Sequence, residues 1–208
     1  EDDRLRNRLT LKIAGEKSGG INLAAYRQAI DDAARICDFL DYTSVYEYAR
    51  GINETIDAIE KLLKTGYPGE AIELSEYALK VIEDAMDEID DSSGSVSDIM
   101  ERLEEMHLKA CEKAGPDPEA LAKMLFDWEL NGRLDTFSHA VEVYSDILGE
   151  KGLAVYRILA EAEWKKLPPL TSRDRYGFDS RRYKIKMIKE SLARMSGDVE
   201  ALVEVEKH

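Results

Sequence analysis

Proline, cysteine and histidine are scarce in this chain and positive charge is outnumbered by negative, and each shortfall removes a class of answer. Five prolines and thirteen glycines in 208 residues leave long uninterrupted stretches, which favours long helices over many short strands. The two cysteines, Cys37 and Cys111, stand far apart with no CxxC spacing, so neither a disulfide framework nor a zinc ribbon is encoded. A reducing, cytoplasmic setting is the expectation. Three histidines leave little for acid–base chemistry, and there is no Gly-rich phosphate loop, GxSxG or HExxH. These absences argue against an enzyme, and no cofactor is expected. No run of about 18 apolar residues occurs, so no membrane span is expected, and no signal peptide is visible. The chain begins at Glu1 rather than Met, which points to a piece of a longer protein.

Lys and Arg number 29 against 43 Asp and Glu, a net charge of -14. An acidic surface repels polyphosphate, so nucleic acid is a poor ligand for the chain as a whole. The same charge keeps molecules dispersed. Hydrophobic residues at 44% are ample for a core, and a chain of this length buries roughly 70% of its unfolded surface without help from metal or disulfide.

What is present is helical periodicity. Leu5, Leu9 and Ile13 predict a helix over 2–14, and Asn22 caps a second running to about Phe39, with Ala25, Ile30, Ala33, Ala34 and Cys37 among its apolar positions. Val45, Tyr48, Ile52, Ile56, Ile59 and Leu63 form a stripe in steps of 3 and 4, stopped by Gly66. Pro68 opens a helix to about Asp90, and Ile99, Leu103, Met106 and Ala110 mark one ending at Gly115. Asp117-Pro118 is a start signal. Leu121, Met124, Leu125 and Trp128 follow, closed by Gly132 in the left-handed conformation. Phe137 to Leu148 and Leu153 to Trp164 give two more faces, the tryptophans being assigned to the core. An irregular loop over 171–179 precedes the Ile185/Ile188/Leu192/Met195 stripe, and Asp198 caps a last helix carrying Leu202 and Val205. No alternation is long enough for a strand. The fold class is therefore all-α: helical hairpins joined by short turns and stacked as an irregular α–α superhelix. The chain reads as a single helical domain over 1–208. Within it, N-terminal helices over 1–40, a hairpin stack over 41–170 and a basic C-terminal part over 171–208 can be distinguished.

Gly66 to Leu79 resembles the middle of a tetratricopeptide motif, with Ser75 in place of its aromatic and Glu83 in place of its proline. Over Asp41 to the end, and most closely in "CEKAGPDPEALAKMLFDWELNGRLDTFSHAVEVYSDILGEKGLAVYRILAEAEWKKLPPL", the chain resembles the helical region that follows a SWIM zinc finger in prokaryotic proteins of unknown function. The resemblance implies an all-helical module attached to such a finger. The finger's CxC…CxH ligands are absent from this chain, so no zinc ligand carries over, and no catalytic residue does either.

Four constellations merit weighing against ordinary structural roles. His107 and Cys111 stand at i, i+4, as two metal ligands can, but they supply half a site beside an apolar stripe. Glu104-x-x-His107 is half of a di-iron signature whose second motif is missing. The acidic stretch around Gly94 puts Ile89 and Met100 where a calcium loop needs carboxylates, so it reads as a polar turn. The fourth is a basic island in an acidic chain: Arg173, Arg175, Arg181, Arg182, Lys184, Lys186 and Lys189, interleaved with Tyr176, Phe178 and Tyr183. It serves as a solvated face, as a contact within the fold or across a homodimer, or as a surface for nucleic acid or an acidic partner. The leading functional expectation is a non-enzymatic interaction or scaffold module with a protein or peptide partner, Arg173, Arg175, Arg181, Arg182, Lys186 and Lys189 forming the candidate surface. An accessory region of a nucleic-acid-associated zinc-finger protein is the alternative, and an enzyme with an unrecognised site the third.

Overall fold

The computed structural model describes residues 20–168 and 179–207. The helix expected over 2–14 lies outside them, as do Arg173, Arg175, Tyr176, Phe178 and His208. Nine α-helices and one 3-10 turn make up the described regular structure, with no strand among the described residues. None of these helices is long and apolar enough to cross a membrane. The chain divides at Ala114–Gly115 into two compact units.

The first unit holds α1 (Leu23–Ala33), α2 (Val45–Lys64), α3 (Pro68–Ala85) and α4 (Ser95–Ala114). The α2 stripe from Val45 to Leu63 is buried along its whole length. It packs on α3 and α4, where Leu74, Leu79, Ile82, Ile99 and Leu103 are fully enclosed. Each such side chain contributes roughly 1.5–3 kcal/mol through loss of water contact. Ser75 fits this interior because its hydroxyl donates to the Ala71 carbonyl at 2.7 Å. Arg102 on α4 ties back to α2, donating to Asp57 (2.6 Å) and Asn53 (2.8 Å).

Helix starts follow side-chain chemistry. Asn22 accepts from the Ala25 N–H at 3.2 Å, and Asp91 takes the N–H groups of Val96 and Ser97 at 2.8 and 3.0 Å, filling donors that a helix leaves open. Two ends differ from the sequence reading. α1 stops at Ala33, not Phe39, and α3 at Ala85, followed by a 3-10 turn over Met86–Glu88. Beyond both ends lies one parallel bridge between Leu40 and Ile89, in which Leu40 N–H donates to Glu88 O and Asp90 N–H to Leu40 O, both at 2.8 Å. It holds the chain extended at Ile89. Cys37 and Phe39 face solvent.

The second unit holds α5 (Pro118–Asn131), α6 (Ala140–Val143), α7 (Ser145–Trp164), α8 (Ser180–Ser196) and α9 (Val199–Lys207). Asp117 caps α5 through the Ala120 N–H at 2.9 Å. Gly132 is extended (φ -58, ψ 144), contrary to the expected left-handed closure. Positive φ appears instead a few residues later, at the non-glycine residues Phe137 (φ 56) and His139 (φ 60). The segment from Phe137 to Leu148 is a turn, the short α6 and the first turn of α7 rather than one helix, although its expected face of Phe137, Ala140, Val141, Tyr144 and Leu148 is buried; Gly149 (φ 50) interrupts α7. The core centres on Leu125, Phe137, Leu148 and Tyr156. Trp128 and Trp164 are only half-buried. Phe137 meets Trp128 edge-on at 5.8 Å and Tyr144 at 6.1 Å, which holds its strained backbone in place.

Two glycines inside helices make opposite predictions. A Cβ at Gly152 would lie 2.9 Å from both the Pro118 carbonyl and Leu148, whereas one at Gly51 would meet nothing within 4 Å. Gly152→Ala is expected to cost about 1–3 kcal/mol through overpacking. Gly51→Ala should gain about 0.5–1 kcal/mol through helix propensity. Urea unfolding of the two variants measures both, and a Gly152→Ala midpoint equal to wild type would refute so close an approach of α5 and α7.

Candidate functional site

Three helices of the second unit each give one strip, spaced 3 or 4 residues apart, to a groove of about 670 Å³. α7 with its C-cap contributes Ile158, Glu161, Ala162 and Lys165; α8 contributes Lys189, Leu192, Ala193 and Ser196; α9 with its N-cap contributes Asp198, Ala201 and Val205. The space exists because Ala160, Ala162, Ala193 and Ala201 put methyl groups where larger side chains would fill it. Leu192, Ala193 and Val205 are buried in its floor, while Ile158 is 68% exposed at its edge. Asp198 caps α9 through the Ala201 N–H at 2.9 Å. The rim is charged. Glu161 accepts from Lys189 at 2.8 Å and pairs with Lys165 at 3.4 Å. The hydrogen bond from Lys189 is the main reason its carboxyl is held below the usual range. The Lys189 ammonium also lies 4.9 Å from the centre of the Trp164 ring, a cation–π contact. Arg157 stands at the rim with no ion pair among the described residues.

A second, smaller feature is a polar pocket of about 110 Å³ lined by Glu129, Thr136, His139 and Lys184, among others. Tyr156 OH donates to Glu129 Oε2 at 2.7 Å, and the His139 N–H donates to Oε1 at 3.0 Å. Burial nevertheless prevails over these bonds and raises the Glu129 pKa. The Tyr156 hydroxyl is raised by burial and by the adjacent carboxylate. Lys184 donates to the carbonyls of Gly132 (2.9 Å) and Leu134 (3.5 Å). Glu129 stands one helical turn after buried Leu125, and a carboxylate at that place on an apolar stripe was the sequence signal for this cluster.

With both features in view, comparison with known families is decisive on one point: the model of a family of unknown function, DUF6880, matches residues 1–208. The chain belongs to that family. No curated protein and no solved structure matches it.

In this DUF6880 chain the described members of the basic island bind neighbours within the second unit. Arg181 donates to Asn131 (2.9 Å) and to Glu163 (2.7 Å). Arg182 donates to the Pro168 carbonyl and its side chain is 13% exposed. Lys186 lies 3.8 Å from Glu190, and Lys189 reaches the groove. The island thus brings α8 to the ends of α5 and α7. In the first unit His107 is wholly buried, 3.2 Å from Glu76, with Cys111 Sγ 3.8 Å from its ring. Burial, then the charges of Glu76 and Glu112, push the Cys111 thiol up to about 12, so it stays protonated and is a weak ligand. Among the described residues no cluster of three or more His, Cys, Asp or Glu is placed to hold a metal ion.

Glu129 supplies a pH test. Its folded pKa lies above the ordinary 4.5, so folding favours the protonated form. The stabilising contribution is full below the unfolded value and is lost as pH rises through the folded one. Glu129→Gln cannot titrate, and its amide can still accept from His139 N–H while facing Tyr156 O. Unfolding free energies across about pH 4 to 7 should show wild type losing ground to Glu129→Gln as pH rises. A constant difference would contradict the raised value.

Proposed function

We propose that this DUF6880 chain is a non-enzymatic interaction module of the helical-repeat kind, and that the α7–α8–α9 groove receives a segment of a protein partner. One observation carries the reading: an apolar floor lies open between three helices, with Ile158 largely exposed beside it. Large apolar side chains left in water beside a concave apolar surface mark binding sites. The basic island supports the groove more than it offers a surface of its own, since Arg181 and Lys189 are held by Glu163 and Glu161.

The second reading, an accessory region of a nucleic-acid-associated protein, draws on the resemblance to the region that follows a SWIM zinc finger. The acidic balance of the chain and the internal use of its described island cations weigh against direct phosphate contact. An unrecognised enzyme finds its best support in the raised carboxyl of Glu129 beside His139.

Ile158→Asp tests the leading reading without touching the core. Helical peptides selected from a display library on the wild-type protein should bind Ile158→Asp at least about tenfold more weakly, the value of one lost apolar anchor, with an unchanged melting curve. Selected peptides that bind both proteins equally would move the site elsewhere.

A further inference from the structure

The groove's geometry and charge also describe what fits it. We infer that its occupant is an amphipathic α-helix with acidic flanks, an inference that rests on the groove being the binding surface. The helical form follows from the walls. Backbone donors and acceptors of α7, α8 and α9 are spent within the helices, apart from their ends, and no strand edge exists among the described residues. An extended segment would therefore carry its own N–H and C=O groups onto an apolar floor without partners, at a cost of about 1–3 kcal/mol for each one buried. A helix satisfies its own backbone and presents apolar side chains at i, i+3/i+4 and i+7, the same periodicity with which the three walls are built. The alanine-lined floor leaves room for such side chains to enter ridge into groove.

The acidic flanks follow from the rim. Arg157, Lys165 and Lys189 stand there against Glu161 and Asp198, a local excess of positive charge in a chain of net charge -14. Glu161 is already shared between Lys165 and Lys189, and Asp198 is engaged at the start of α9. Arg157 is exposed and has no ion pair among the described residues. A carboxylate on the incoming helix completes this arrangement, and a lysine there meets unopposed like charge.

Three stapled helical peptides test this, sharing leucines at i, i+4 and i+7 and differing only in Glu, Gln or Lys flanks. Anisotropy titrations use the full chain, its Arg157→Glu variant and Ile158→Asp. At low salt the Glu-flanked peptide should bind wild type about fivefold or more tighter than the Lys-flanked one, and the ratio should shrink toward unity in high salt. Arg157→Glu should reverse the order. Equal binding of all three peptides, or no reversal, overturns the acidic flank. If that binding is still lost in Ile158→Asp, the groove stands as the binding surface. Binding that ignores Ile158→Asp, or no binding by any peptide, overturns both the helical occupant and the groove.

Discussion

The close approach of α5 and α7 is the constraint on which the second unit depends. It is possible because Gly152 carries no side chain where the Pro118 carbonyl passes. One helical turn further along α7, Tyr156 is brought against Phe126 at 5.3 Å and Glu129 at 2.7 Å. Glu129 in turn anchors the His139 N–H, so the left-handed turn at Phe137 and His139 is held from three sides. Each such residue costs of order 1–3 kcal/mol and survives only where neighbours over-determine it. With one face of α7 locked to α5, its opposite face, carrying Ile158 and Glu161, is turned toward α8 and α9.

Charge is distributed unevenly between structure and surface. The cations are outnumbered, and several are spent on joining helices: Arg102 links α4 to α2, Arg181 and Lys189 link α8 to α5 and α7. Ion pairs this exposed add little stability individually, but they set register between helices whose apolar faces alone would allow sliding. An acidic protein that places its outnumbered positive charges in this way has an electrostatic relief quite different from its net charge.

The helices of the first unit could be read from periodicity because one face of each meets the core, and burial reproduces the Val45–Leu63 stripe residue by residue. The errors arise where long-range contacts override local preference. Nothing near Phe39 or Ile89 announces that Leu40 and Ile89 pair. The left-handed backbone assigned to Gly132 falls on Phe137 and His139, whose bulk argues against it until Trp128 and Tyr144 are seen packed on the phenyl ring. The groove was invisible for a related reason: alanines along a stripe signal close packing, and only the positions of α8 and α9 make them a space. The basic island was visible as composition, but its partners Asn131, Glu161 and Glu163 lie at distances no local pattern encodes.

Both tryptophans belong to the second unit, at Trp128 and Trp164. Intrinsic emission excited in the indole band is therefore a reporter of that unit alone. Trp164 sits under the Lys189 ammonium and Trp128 against Phe137, so the two fluorophores watch the groove rim and the strained turn respectively. The first unit is spectrally silent in that channel, so a circular dichroism transition, to which the helices of both units contribute, that does not coincide with the fluorescence transition belongs to the first unit.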